Sequence, residues 1–290
     1  MNRWQSRRQN FRKLLAQSGC VSPASVHDPV SARIAEHLGF EVGIFAGSVA
    51  SLTVLGAPDI ILLTMTEFAQ QAMRISRASE LPVLVDADHG YGNAMNVMRC
   101  VEELEAAGIA ALSIEDTELP SPAGSGGVPR LTSIQEGVGK MKAALAARRD
   151  PDLVIAGRTS AASISDPEDA AQRALAYEKA GVDVLFLVGV KDSDALRTIT
   201  SVTTLPVILG SAGADLKDPA VLASNRVRIC LQGHQPFAAA TQAIYDTMKR
   251  LRDGESPSEL PNLASAELMQ MVTHGDEYKQ WAARFLDGKS

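Results

Sequence analysis

Cysteine is scarce in this chain. Only Cys20, Cys100 and Cys230 occur in 290 residues, odd in number and far apart. That excludes a disulfide scaffold and a cysteine-rich zinc site, and it predicts a reducing, cytoplasmic setting. An excess of positive charge is also missing. The net charge is −6, so no nucleic acid or anionic membrane partner is expected. No apolar run is long enough to span a bilayer. No P-loop, dinucleotide fingerprint, zinc-ligand spacing or nucleophile elbow is found, and the GSGG stretch at 124–127 lacks the lysine of a phosphate cradle.

What is present fits a soluble globular protein with a substantial core: 46% hydrophobic and 21% charged residues. The basic start, MNRWQSRRQNFRKLLAQ, could mimic a transit peptide. Its Trp4, Phe11, Leu14 and Leu15 instead predict a short amphipathic helix packed on the domain, with its arginines in water. From Val21 onward one theme repeats: a short apolar strand, a loop, then a helix. Strands are expected at 21–27, 41–46, from Leu81, 109–114, 153–156, 182–188, 205–209 and 227–231. Asp28-Pro29 and Asp166-Pro167 each place a capping aspartate before a proline at the first helical position. Gly47-Ser48 opens an expected loop running to Leu63.

Strands alternating with helices in units of roughly 30 residues predict a TIM-type (β/α)8 barrel, with a doubly wound open sheet as the alternative. Polar residues end nearly every strand: Ser48, Asp86, Glu115, Arg158, Ser211 and His234. A barrel gathers those ends on the face where barrel enzymes do chemistry. The whole chain, 1–290, reads as one barrel domain. Its segment 252–290 is a polar linker plus C-terminal helices whose Leu268, Met271, Tyr278, Trp281 and Phe285 need another surface to cover.

The organising stretch is Leu81–Asn93, LPVLVDADHGYGN, in which an apolar run ends in Asp86 and Asp88. Two residues apart on a strand edge, these carboxylates can face one side, where they repel unless a proton or cation intervenes. With Asp59 and the pair Glu115-Asp116, at least four acids could reach one ion, and oxygen-only ligation suits Mg²⁺ or Mn²⁺. Arg158 suits a substrate carboxylate or an enolate oxygen, or else an ion pair with one of these acids. Gly47 and Ser48 offer backbone N–H groups and a hydroxyl to a carboxylate. His234 is a candidate for proton work or substrate recognition, or for a hydrogen-bonded place on the barrel rim. His89 is a candidate for orienting the metal loop.

Together, SVHDPVSARIAEHLGFEVGIFAGS, APD, VDADHGYGN, SIED and GRT resemble the phosphoenolpyruvate mutase/isocitrate lyase superfamily over nearly the whole chain. The resemblance implies a TIM-type barrel that binds Mg²⁺ and small 2-oxo or 2-hydroxy acids. It implies Asp86 as direct metal ligand, with Asp59, Asp88 and Glu115 holding metal-bound waters, and Ser48 and Arg158 at the substrate carboxylate. It also implies a homo-oligomer, a dimer of dimers with the eighth barrel helix exchanged between subunits. Lyase branches carry a Lys-Lys-Cys-Gly-His type motif after SIED, whereas this loop reads LPSPAGSGGVPRL, without cysteine. GH at 233–234, GSVAS and IQEGVGK instead resemble the oxaloacetate decarboxylase subgroup, although Ser211 stands where a tyrosine is expected. The implied reaction is Mg²⁺-dependent decarboxylation of oxaloacetate to pyruvate and CO₂, with His234 at the departing carboxylate. A carbon–carbon lyase or hydrolase acting on another small oxo acid, or a non-catalytic metabolite-binding barrel, are the alternatives.

Overall fold

The computed structural model describes residues 4–216 and 218–286. Eight parallel strands lie side by side in chain order: β1 (Ala24–Ser25), β2 (Gly43–Ala46), β3 (Val83–Asp86), β4 (Ala111–Glu115), β5 (Val154–Thr159), β6 (Val184–Leu187), β7 (Val207–Leu209) and β8 (Val227–Cys230). The ring closes through Val21. It pairs in parallel with Ile229, donating its N–H to the Arg228 carbonyl (2.9 Å) and accepting from the Cys230 N–H (2.9 Å). The expected TIM-type barrel is therefore present.

Among the described residues, thirteen α-helical segments accompany the strands: α1 (Gln5–Ala16), α2 (Pro29–His37), α3 (Gly47–Ala50), α4 (Met65–Ser76), α5 (Ala94–Ala106), α6 (Ile134–Ala147), α7 (Ala161–Ile164), α8 (Pro167–Ala180), α9 (Ser193–Thr200), α10 (Pro219–Ser224), α11 (Gln235–Arg252), α12 (Ala266–Thr273) and α13 (Gly275–Phe285). Asp28 and Asp166 cap α2 and α8 as their Asp-Pro pairs predict, each accepting from a backbone N–H of the first turn. The stretch after β2 departs from the expected loop. It coils at once into α3 and a π-helical turn, Ser51–Leu55, ended by Gly56 in the left-handed region (φ 61°).

Alternation along each strand separates two cores. Ile44, Leu84, Val154, Ala156, Val184, Phe186, Ile208 and Ile229 fill the barrel interior, joined by Phe11, Leu14 and Leu15 of α1. Their neighbours Phe45, Val83, Val85, Leu112, Ile155, Leu185, Leu187 and Leu209 pack outward against the helices. Helix α1 brings its apolar residues to the end of the interior where the strands start, which leaves the opposite end for chemistry. Its arginines do not all lie in water, as the amphipathic pattern predicts. Arg7 and Arg8 are 2% and 1% exposed. Arg7 pairs with Glu80 at 2.6 Å and donates to the Ser76 carbonyl. Arg8 pairs with Asp150 at 2.6 Å and donates to the carbonyls of Ile109 and Glu105. Pairing is what makes their burial tolerable, and a helical pattern cannot reveal partners so distant in sequence.

The chain divides into two compact units, Met1–His234 and Gln235–Ser290. The second takes in α11, the helix following β8, with α12 and α13. Helix α11 buries no residue, and Ile244, Tyr245 and Met248 on it are more than half exposed. No helix among the described residues is long and apolar enough to cross a membrane.

Candidate active site

Strand register assembles the site. Asp86 ends β3 beside Ser113 of β4, and the Ser113 hydroxyl donates to its Oδ1 at 2.8 Å. Glu115 ends β4 beside Arg158 of β5, and the pair is bridged, Nη2 to Oε2, at 3.1 Å. Arg158 in turn neighbours Phe186 of β6, whose ring centroid lies 5.4 Å from the guanidinium carbon. The other arm of the guanidinium, Nη1, donates to Asp86 Oδ2. All of these residues sit on strands near their carboxyl ends, and Arg158 reaches from β5 past β4 to Asp86 on β3, so the fold places them without help from mobile loops.

Asp86, Glu115, Arg158 and Phe186 open into a cavity of about 480 Å³, also lined by Ser48, Asp59, Asp88, Thr117, Ser160, Val188, Leu231 and His234. Of the residues singled out from the sequence, Ser48, Asp59, Asp86, Asp88, Glu115, Arg158 and His234 thus share one cavity. Gly47 lies behind it. A Cβ on Gly47 would stand 2.5 Å from Asp88 Oδ2, so glycine lets the carboxylate press against the backbone. Asp88 itself sits in the left-handed region (φ 48°), which aspartate tolerates better than most residues and which turns its carboxylate into the site. His234 is half-buried, with Nδ1 2.8 Å from Ser25 Oγ. His89 is buried and does not line the cavity. Lys140 of α6 donates to its backbone carbonyl at 3.1 Å, which pins the loop carrying Asp88. Asp116 faces away, bound by Arg173 (3.0 Å) and Tyr177 (2.5 Å).

The charges do not balance. Asp59, Asp86, Asp88 and Glu115 face one guanidinium. Loss of water raises the Asp88 pKa well above the ordinary carboxylate value, and Asp86, Glu115 and Asp59 raise it further. Glu115 is raised chiefly by its burial, against the pull of Arg158. Asp59 is raised by desolvation at the cavity mouth and then by Asp86. Burial opposes the charge of Arg158, but Asp86 and Glu115 outweigh it and keep the guanidinium protonated. Burial holds the His234 pKa below its usual value, with Asp86 and Asp59 pulling the other way, and pushes His89 down to about 4.

A site with surplus, desolvated carboxylate charge and hard oxygen donors suits a divalent cation such as Mg²⁺. Among the described residues, no group of three or more His, Cys, Asp or Glu side chains converges tightly enough to cage an ion. A pH-dependent response follows. An acid whose folded pKa is raised binds its proton more tightly folded than unfolded, so its contribution to stability falls as pH rises above the ordinary carboxylate range. A cation needs those same groups ionised, so its stabilising effect grows with pH. With Mg²⁺ at about 100 times its Kd, the melting temperature should rise by roughly 4–5 °C. Thermal melts with and without Mg²⁺ at pH about 5 and about 8 should show the larger rise at the higher pH; a larger rise at the lower pH would contradict it.

Sequence reasoning missed Ser113, Phe186 and Ser25, because their importance lies in cross-strand register. Ser160 follows GRT directly, and Thr117 follows SIED directly, so proximity to those motifs was the available signal.

Comparison with known proteins agrees with this geometry. The model of the phosphoenolpyruvate phosphomutase family matches residues 11–252. An oxaloacetate decarboxylase of Rhodopseudomonas palustris (strain BisB18) is 57% identical over 283 residues, covering 98% of each chain. The phosphoenolpyruvate phosphomutase of Streptomyces platensis subsp. rosaceus superposes with a TM-score of 0.84 at 30% identity, over 96% of this chain and 99% of that one. A phosphonopyruvate hydrolase in complex with oxalate and Mg²⁺ gives a TM-score of 0.84 at 27% identity, over 97% and 99%. The chain therefore belongs to the phosphoenolpyruvate mutase/isocitrate lyase superfamily, in its oxaloacetate decarboxylase subgroup.

Proposed function

We propose that this protein is an oxaloacetate decarboxylase, yielding pyruvate and CO₂. The observation that carries this is the convergence of four carboxylates, Arg158 and His234 on one cavity at the carboxyl ends of the strands. Asp86 would hold Mg²⁺ directly, with Asp59, Asp88 and Glu115 holding its waters. Mn²⁺ could take the same place. When bound, the ion supplies Lewis-acid polarisation of the 2-oxo carbonyl.

The protein's own groups account for the rest. Ser48 and Arg158 bind and orient the C1 carboxylate. The C3–C4 bond breaks, its electron pair passes to the C2 oxygen as an enolate, and CO₂ leaves. Arg158 lies where that negative charge develops, and its permanent charge needs no reorganisation. Phe186, Val188 and Leu231 line an apolar wall, and an apolar surface favours turning a carboxylate into neutral CO₂. A proton then reaches C3 and gives pyruvate. His234 recognises the C4 carboxylate before it departs.

His234→Ala is the direct test. Loss of a hydrogen bond to a charged group costs roughly 1.5–3 kcal/mol, so kcat/KM for oxaloacetate should fall about 10- to 150-fold. Mg²⁺ affinity should hardly change, and His234→Gln should keep part of the activity. Unchanged kcat/KM in a well-folded His234→Ala variant would remove the case for decarboxylation over other superfamily chemistry.

The exposed apolar residues of α11, α12 and α13 support a homo-oligomer, a dimer of dimers in which α11 packs on a neighbouring copy. Light scattering at micromolar concentration should give a mass well above that of one chain; a stable monomer would contradict it. The free cysteines support a cytoplasmic enzyme.

A further inference from the structure

Ser25 and His234 are 209 residues apart and meet only because the barrel closes between β8 and the chain entering β1. Ser25 is the last residue of β1, paired in register with Ile44, and 6% exposed. Ile44 belongs to the core inside the barrel. Ser25 does not line the cavity, whereas His234 does. The imidazole therefore turns its Nδ1 edge toward the serine and leaves Nε2 as the ring nitrogen available to the cavity.

A neutral imidazole carries one proton, and the hydrogen bond at one nitrogen decides which nitrogen holds it. A serine hydroxyl can donate or accept, so it follows the stronger demand of the ring. On the cavity side that demand comes from Asp59 and Asp86, whose negative charge favours an N–H facing them over a lone pair. We propose that Ser25 is a positioning residue: its hydroxyl donates to Nδ1 of His234 and holds the ring as the tautomer that presents Nε2–H to the substrate. His234 is then a fixed hydrogen-bond donor to the distal carboxylate, and at neutral pH it is not the base of the reaction. Without the serine hydroxyl, the ring can turn or exchange tautomers and spend part of its time offering a lone pair to an anion.

The kinetic side of this role rests on the decarboxylation proposed above, but the tautomer can be read without turnover. In ¹⁵N-labelled protein, a long-range ¹H–¹⁵N correlation distinguishes the two tautomers of each histidine, and His234→Gln assigns the resonances. The wild type and Ser25→Thr should show the Nε2–H pattern, and Ser25→Ala a mixture. Ser25→Ala should lower kcat/KM for oxaloacetate about fivefold, as expected for one neutral hydrogen bond, with Ser25→Thr close to wild type. In a His234→Ala background, Ser25→Ala should cost nothing further. An Nδ1–H pattern in the wild type, an unchanged tautomer in Ser25→Ala, or the same fivefold loss in the His234→Ala background would each overturn the proposal. If Ser25→Ala does not fold, the spectra of the wild type and Ser25→Thr still decide it. If oxaloacetate is not turned over at all, decarboxylation fails while the spectra still decide the role of Ser25.

Discussion

Asp86→Ala should lose metal-dependent turnover by at least about 10³-fold, the scale of several kcal/mol of transition-state charge stabilisation by a bound cation. Its stability without a cation should change little. The substitution takes one partner from Arg158, which keeps Glu115 at 3.1 Å. It also removes a carboxylate that raises the pKa of Asp88 and so relieves like-charge repulsion inside the cavity. The two effects oppose each other. The Mg²⁺-induced rise in melting temperature, in contrast, should vanish, because the inferred direct ligand is gone. Asp86→Asn separates ligation from shape, since its amide keeps a carbonyl to accept from the Ser113 hydroxyl but lacks the charge. It should behave like Asp86→Ala in turnover and in its response to Mg²⁺. Kinetics beside paired melts check this, and Mg²⁺-dependent turnover at the wild-type rate in either variant would move the metal to other acids of the cavity.

Much of the barrel is legible in the sequence because parallel strands buried on both faces are continuous apolar runs, and their ends stand out as polar residues. Asp86, Glu115 and Arg158 are visible for that reason alone: each closes such a run. Less regular features leave weaker marks. β1 spans only Ala24–Ser25, and closure depends on Val21 ahead of it, so the run from Val21 to His27 overstates the strand. The turn of π-helix after β2 has no period that a helical or extended pattern would match. The buried arginines of α1 escape for another reason. An amphipathic pattern assigns charge to water, whereas Arg8 finds Asp150 across 142 residues of sequence. Within the site, the acids are legible as a set, but their partners are not. That Ser113 serves Asp86 and Phe186 flanks Arg158 follows from register, which a shift of one residue would reverse.

Arg158→Gln should damage turnover and stability together, and it should reveal two separate roles. Removing a preorganised donor from the place where enolate charge develops should lower kcat by about 10²- to 10³-fold. The same change leaves Asp86 and Glu115 without their shared partner. Breaking a buried pair costs roughly 3–5 kcal/mol, because the remaining charge is stranded. The loss should depend on cation. Mg²⁺ should restore more stability to Arg158→Gln than to the wild type, since it supplies the positive charge that the cavity lining has lost. Arg158→Lys restores the charge but not the fork that reaches Asp86 with one nitrogen and Glu115 with another, so it should recover stability more fully than turnover. The double variant Arg158→Gln with Glu115→Gln separates the roles further. It removes a stranded carboxylate along with its partner, so the melting temperature without cation should recover toward wild type while kcat stays low. Recovery of both together would mean that Arg158 serves the fold alone, and that the negative charge of the enolate is met by other groups in the cavity.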